Sequence, residues 1–198
     1  MVFDFKVEMI VMLCSLTEGG RQKCAYYWNE NLNTKFKIKV IEEKEYNKYL
    51  IIRKFNVTNS NDESITVNHL HFTGWPDHGA PIVEDVYDTF TTMISKVNEQ
   101  MKNPVIVHCS AGVGRTGTFI SMYSLYYEIM NQFDRKKYTI EFNVFNLVRK
   151  CKERRLFLVE NRYQYVFLYQ FVSKLLEESF KKIPETGIIS FFKNLFKK

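Results

Sequence analysis

Residues 104–118 read Pro104-Val-Ile-Val-His108-Cys109-Ser110-Ala111-Gly112-Val113-Gly114-Arg115-Thr116-Gly117-Thr118. The run at 105–107 is short and wholly apolar, which predicts a buried strand ending at His108. From Thr116 to about Met130 the spacing is that of a long helix. Between the two elements lie Cys109, five further residues and Arg115. Gly112 and Gly114 permit unusual φ and close backbone approach. The amides of Ser110, Ala111, Gly112, Val113, Gly114 and Arg115 can then turn inward as an anion nest. The helix start adds its positive end, and Arg115 offers a planar fork to two phosphate oxygens. Such a loop suits a dianionic tetrahedral group. A cysteine at its base is stabilised as thiolate, from a pKa of ~8.5 to roughly 3.5–7.5, so Cys109 reads as a nucleophile aimed at phosphorus. Thr116 can hydrogen-bond the sulfur, and His108 can orient the Cys109 backbone. No Gly-Lys-Ser/Thr follows the glycines, which excludes a P-loop nucleotide hydrolase.

A phosphate ester also needs a proton for its leaving group. Upstream, Gly74-Trp75-Pro76-Asp77-His78-Gly79 places an acid in a turn. Pro76 stiffens the approach to Asp77, and Trp75 supplies an apolar anchor. A loop of this kind can close over a substrate and expel water. Asp77 would protonate a phenolate whose conjugate acid has a pKa of ~10.

Around these two motifs the chain alternates between strand and helix patterns. The run 7–13 reads as a central buried strand, and 35–41 alternates Lys35, Lys37 and Lys39 against Phe36, Ile38 and Val40 as a half-buried one. The segments 49–57 and 64–72 predict a hairpin around Asn59-Ser60-Asn61-Asp62. Helical spacing marks 82–101, which opens on Ile82, then about 143–154 and 162–179. The order predicts a mixed α/β (α+β) fold with one main sheet. A chain of 198 residues with 45% hydrophobic content suits one domain. We place this domain at residues 1–180, followed by a tail at 181–198.

That tail holds five lysines against one glutamate, so +4 of the +6 net charge sits there. The remainder makes no nucleic-acid footprint. Ile188, Phe191, Phe192, Leu195 and Phe196 recur at helical spacing, a basic amphipathic helix suited to weak contact with an anionic membrane or a partner. An equal alternative is that it folds back over apolar surface. Cys14, Cys24, Cys109 and Cys151 match no zinc or disulfide spacing and suggest a reducing, cytoplasmic setting. Cys14, Cys24 and Cys151 read as buried structural thiols. His69, His71 and His78 form no metal pattern, and no run approaches the ~20 apolar residues of a membrane span.

The 108–117 stretch and Trp75-Pro-Asp-His-Gly79 together resemble the receptor and non-receptor protein tyrosine phosphatases, over roughly Val7 to Val172. Ile10-Val-Met-Leu13, Glu18-Gly-Gly-Arg-Gln-Lys23-Cys24, Tyr27-Trp28 and Gln164-Tyr165-Val-Phe167 are similar to weaker stretches of that family. The resemblance implies a single, highly twisted mixed sheet flanked by helices. It implies phosphotyrosine-containing proteins as substrates and a two-step reaction through a cysteinyl-phosphate. In it Cys109 is nucleophile, Asp77 acid and then base, and Arg115 and the loop amides hold the charge. Neither metal nor cofactor is expected. Glu18 and Lys23 are candidates to touch the acid loop, with a solvated turn as the equal alternative. Two departures stand out. The family's opening helices and phosphotyrosine-recognition loop have no counterpart before Val7, which suggests a short, divergent, virus-encoded member. Glu160 stands where the family usually places a water-orienting glutamine, with Gln164 after it, and Phe157 stands where a small residue keeps the cleft open. These departures support two alternatives to full activity: an impaired phosphotyrosine-binding trap, or a phosphatase for small or lipid phosphates.

Overall fold

A computed structural model describes residues 1–31, 35–76, 79–100, 102–134 and 139–182. Five strands form the main sheet: β1 (Met9–Met12), β4 (Lys37–Asn47), β5 (Leu50–Thr58), β6 (Ser64–Phe72) and β7 (Val105–His108). A two-stranded ribbon, β2 (Thr17–Glu18) with β3 (Arg21–Gln22), stands apart from it. The helices are α1 (Val83–Glu99), α2 (Gly114–Asp134), α3 (Val144–Arg154) and α4 (Arg162–Lys181). The sheet order is β4-β5-β6-β1-β7. β4, β5 and β6 are antiparallel neighbours, whereas β1 runs parallel to both β6 and β7. This is the mixed α/β sheet flanked by helices that the sequence predicts.

Alternation along β6 sorts the layers. Leu70 and Phe72 point to one face, where Phe72 packs on Phe90 of α1, and Phe90 in turn meets Phe119 of α2 and Phe167 of α4. Trp75 closes this aromatic cluster, touching Phe72, Phe90 and Phe167. Val67, His69 and His71 point to the other face, where Trp28 lies against Phe55, His69 and His71. The predicted hairpin is present, and Asn59 holds its turn by accepting the N–H groups of Asn61 and Glu63.

Three expectations need correction. β7 is not buried: it is the last strand of the sheet, so all four of its residues are half-exposed. β4 continues to Asn47, because Glu42–Asn47 pairs with Leu50–Lys54, across a register shift between Glu45 and Asn47, although the segment is exposed. Ile82 precedes α1 as its N-cap and is 66% exposed rather than on the buried face. The tail from residue 183 lies outside the described residues.

The topology decides where a site can form. Register aligns Met12 with His71 on one side and with His108 on the other. The segments leaving β1, β6 and β7 therefore emerge at the same, carboxyl, end of three parallel strands. That end is where open α/β sheets form their ligand crevices.

Candidate active site

Cys109 follows β7 directly, and α2 begins five residues later. Gly112 turns the loop at φ +69, a left-handed conformation open to glycine. Gly114 has another reason to be glycine. Its φ is not in that region; instead a Cβ there would lie 2.7 Å from Gln164 Nε2 and 2.9 Å from Glu160 Oε2. The missing side chain admits both late-loop residues to the cradle.

Cys109 is only 9% exposed. Burial alone would push its thiol up. The Thr116 hydroxyl, which donates to Sγ at 3.2 Å, and the amides of Thr116, Gly112 and Val113 outweigh burial and hold it below the ordinary thiol value. Neighbouring thiols behave oppositely. Cys14 is pushed up to about 12, first by burial and then by the nearby Cys24 and Cys109 thiols. Cys24 is raised by burial as well. The loop, not the cysteine residue type, singles out Cys109. His108 bonds through Nδ1 to the Cys109 carbonyl at 3.1 Å, and burial lowers its pKa below the usual histidine value.

Arg115 is held from an unexpected side. Its Nη1 and Nη2 donate to the two Glu18 oxygens at 2.5 and 2.7 Å, and Nη1 also donates to the Leu13 carbonyl at 3.2 Å. The side chains are 12% and 9% exposed, so Glu18 is not a solvated turn residue. Among the described residues it is the guanidinium that reaches the acid loop, through the Pro76 carbonyl at 3.5 Å. Glu18 also accepts the Ser15 N–H. A bidentate carboxylate fixes the guanidinium plane. Removing it leaves a nearly buried cation without its partner. Glu18→Ala is expected to cost about 3 kcal/mol of unfolding free energy, read by urea titration. A loss below about 1 kcal/mol would show the pair to be incidental.

A cavity of about 330 Å³ opens above the cradle, lined among others by Cys109, Ser110, Arg115, Lys23, Glu160 and Gln164. Gln164 is buried, and its Oε1 accepts the Glu160 N–H. Ser110, Ala111, Gly112, Val113, Gly114, His108 and Thr116 are thus gathered with Cys109, Arg115, Glu18, Lys23, Glu160 and Gln164 at one end of the sheet. Asp77 and His78 lie outside the described residues. The residues flanking them, Pro76 and Gly79, both line this cavity. Phe157 does not narrow it: the ring is 61% exposed and is not part of the wall. Sequence reasoning missed Tyr163, which lines the cavity beside Gly79, and Arg155, whose Nη2 donates to the Ala111 carbonyl. Arg155 follows a helix with no cue of its own, so only the fold brings it to the loop.

The family model described as Protein-tyrosine phosphatase matches residues 1–174.

The chain belongs to the protein-tyrosine phosphatase family.

The family match begins at residue 1, ahead of the Val7 read from motifs. Rat tyrosine-protein phosphatase non-receptor type 20 is 33% identical over 182 residues, covering 89% of this chain and 41% of the relative. Chicken receptor-type tyrosine-protein phosphatase eta is 34% identical over 188 residues, 92% of this chain and 13% of that protein. The crystal structure of the catalytic domain of human protein tyrosine phosphatase non-receptor type 18 superposes with a TM-score of 0.75 at 32% identity, over 88% of this chain and 62% of that one. A structure of PTPN18 with a HER2-pY1248 phosphopeptide gives 0.76 at 31% identity, over 88% and 65%. The chain thus spans less than half of the rat relative.

Proposed function

We propose that this member of the family hydrolyses phosphotyrosine in proteins. The observation that carries the reading is the low-lying Cys109 thiol, held by Thr116 and the loop amides on the wall of a cavity it shares with Arg115. The thiolate attacks phosphorus, the phosphorus–phenolate oxygen bond breaks, and Asp77 gives its proton to the leaving oxygen. Water then attacks the cysteinyl-phosphate, Asp77 takes a proton from it, the phosphorus–sulfur bond breaks and the thiolate returns. Arg115 and the amides of Ser110 to Arg115 hold the three non-bridging oxygens through both steps. Pro76 and Gly79 on the cavity wall support Asp77 in its role. Structural neighbours bound to phosphotyrosine peptides support the substrate class.

Glu160 sets the pace of the second step. Its carboxylate shares the cavity with Cys109 and Arg115, and a negative charge there opposes a phosphoryl group and its attacking hydroxide-like water. On a phosphotyrosine peptide the wild type should show a burst, and Glu160→Gln should raise kcat by about 10-fold, worth ~1.4 kcal/mol. Failure of well-folded protein to turn over the peptide would defeat the activity. A fall in kcat for the variant would defeat the role of Glu160 alone.

No described helix is long and apolar enough to cross a membrane, and the four cysteines are free thiols. We place the protein in a reducing, cytoplasmic environment. To residues 188–198 we assign weak contact with anionic membrane through their lysines and aromatics. Full-length protein should sediment with phosphatidylserine vesicles and lose this on removal of 188–198; equal sedimentation would end the assignment.

A further inference from the structure

Behind the cradle the structure gathers a second set of reactive side chains. The Sγ atoms of Cys14 and Cys24 and a ring nitrogen of His108 all lie within 4.8 Å of one another. The chain spacing of these residues resembles no zinc motif, because the topology creates the cluster. Cys14 stands two residues past β1. The β2–β3 ribbon turns the chain back, and the Lys23 and Cys24 N–H groups bond to the Leu16 carbonyl, which returns Cys24 to the end of β1. His108 is the last residue of β7, paired in register with Met12.

The hydrogen bonds settle which histidine nitrogen is free to ligate. Nδ1 lies on the Cys109 carbonyl, an acceptor only, so Nδ1 carries the proton. Nε2 keeps its lone pair and receives the Tyr27 hydroxyl at 2.9 Å. Tyr27 has a second acceptor, Met12 Sδ at 3.8 Å, and a second histidine neighbour, His69 Nε2 at 2.9 Å. Its proton can therefore leave His108 without being stranded. A histidine whose far N–H is fixed on a carbonyl is also how metal-binding imidazoles are oriented.

We propose that Cys14, Cys24 and His108 bind a thiophilic divalent cation of the zinc class, with water in the fourth position. Two thiolates and one neutral imidazole are a soft donor set for this ion. Binding releases two thiol protons, and two thiolate charges cancel the dication, so the loaded site is neutral, as its partly buried setting requires. Zinc–sulfur bonds of about 2.3 Å and zinc–nitrogen bonds of about 2.0 Å place tetrahedral ligand atoms roughly 3.5–3.8 Å apart. The three groups need close in by only about 1 Å. Access and the open position are supplied by a cavity of about 730 Å³ on whose wall Cys24 and His108 lie, while Cys14 approaches from the interior. The site adjoins the phosphate cradle, whose Cys109 to Gly112 line the same cavity, but its three ligands do not include the nucleophile, so it stands whether or not the catalytic reading does.

The test uses reduced, metal-free protein carrying Cys109→Ser, which removes the cradle thiolate as a competing ligand. Cobalt(II) should bind one to one, with a thiolate-to-cobalt charge-transfer band and intense tetrahedral visible bands, and zinc should displace it. Adding Cys14→Ser or Cys24→Ser should weaken zinc binding by at least about 100-fold, since loss of mere supporting groups already costs 10–100-fold. Cys24 is half-exposed, so its variant keeps the test usable if the buried Cys14 variant does not fold. Cobalt binding without a thiolate band, or zinc affinity unchanged in Cys24→Ser, overturns the proposal.

Discussion

Cys109→Ser is expected to lower turnover of a phosphotyrosine peptide by at least about 10⁴-fold, some 5 kcal/mol of transition-state stabilisation. A hydroxyl in the same cradle stays protonated where the thiol ionises, because the loop amides and Thr116 are matched to a sulfur anion. The rest of the cradle survives the change. Gly112 keeps its turn, Arg115 stays on Glu18, and Arg155 still reaches the Ala111 carbonyl. The variant should therefore bind the peptide with an affinity close to the wild type's while failing to cleave it. Equilibrium binding and steady-state kinetics on the same preparation check both halves. Residual turnover within 100-fold of wild type would mean that Cys109 is not the nucleophile.

The second large effect is on stability. Acidification from pH 7.5 to 5 should remove about 4 kcal/mol of folding free energy through His69 and His71, each approaching ~1.4 kcal/mol per pH unit below pH 6.5. His71 donates from Nε2 to the Cys14 carbonyl, so its Nδ1 is the acceptor of the Arg53 guanidinium at 3.1 Å. Protonating that nitrogen would destroy the bond and set two cations together in the core. Burial first, and Arg53 after it, bring its pKa down to about 4. His69 is fully buried beside Trp28 and Phe55, with Nδ1 lacking a partner among the described residues. Burial, then the charges of His71 and Arg53, lower it to about 2. Both values lie below the unfolded ~6.5. The unfolded chain therefore binds the extra protons, and stability is complete above pH 6.5 and falls as pH drops through that value toward the folded pKa. Urea unfolding at pH 7.5 and 5 reads the difference. His71→Gln, which can still donate to the Cys14 carbonyl and accept from Arg53, should halve the slope. A flat profile would contradict the assignment of two neutral buried histidines.

How much of this could be read from the chain alone depended on distance along it. The cradle was legible because nucleophile, glycine turn, guanidinium and helix start fall within one window of residues 108–118. The β5–β6 hairpin was legible for the same reason, its turn residues lying between two periodic runs. Glu18 was legible as a candidate but its partner was not, since it meets Arg115 across 97 residues and nothing local to either announces the pair. The half-exposed β7 shows a second limit. An apolar run states that side chains avoid water, but not whether a further strand will cover the edge. Gly114 shows a third: a glycine needed for close approach looks the same in sequence as one needed for its φ. Cys14, Cys24 and His108 lie far from any motif spacing and converge because three chain segments end together.

The central claim is that Cys109 itself takes the phosphoryl group. Rapid quenching in denaturant after mixing enzyme with a peptide carrying radioactive phosphate on tyrosine, followed by peptide mapping, tests it directly. Label should appear within the first turnover on the peptide containing Cys109, and be absent in Cys109→Ser. Wild-type turnover with no label on that peptide, or with label on another residue, would contradict it.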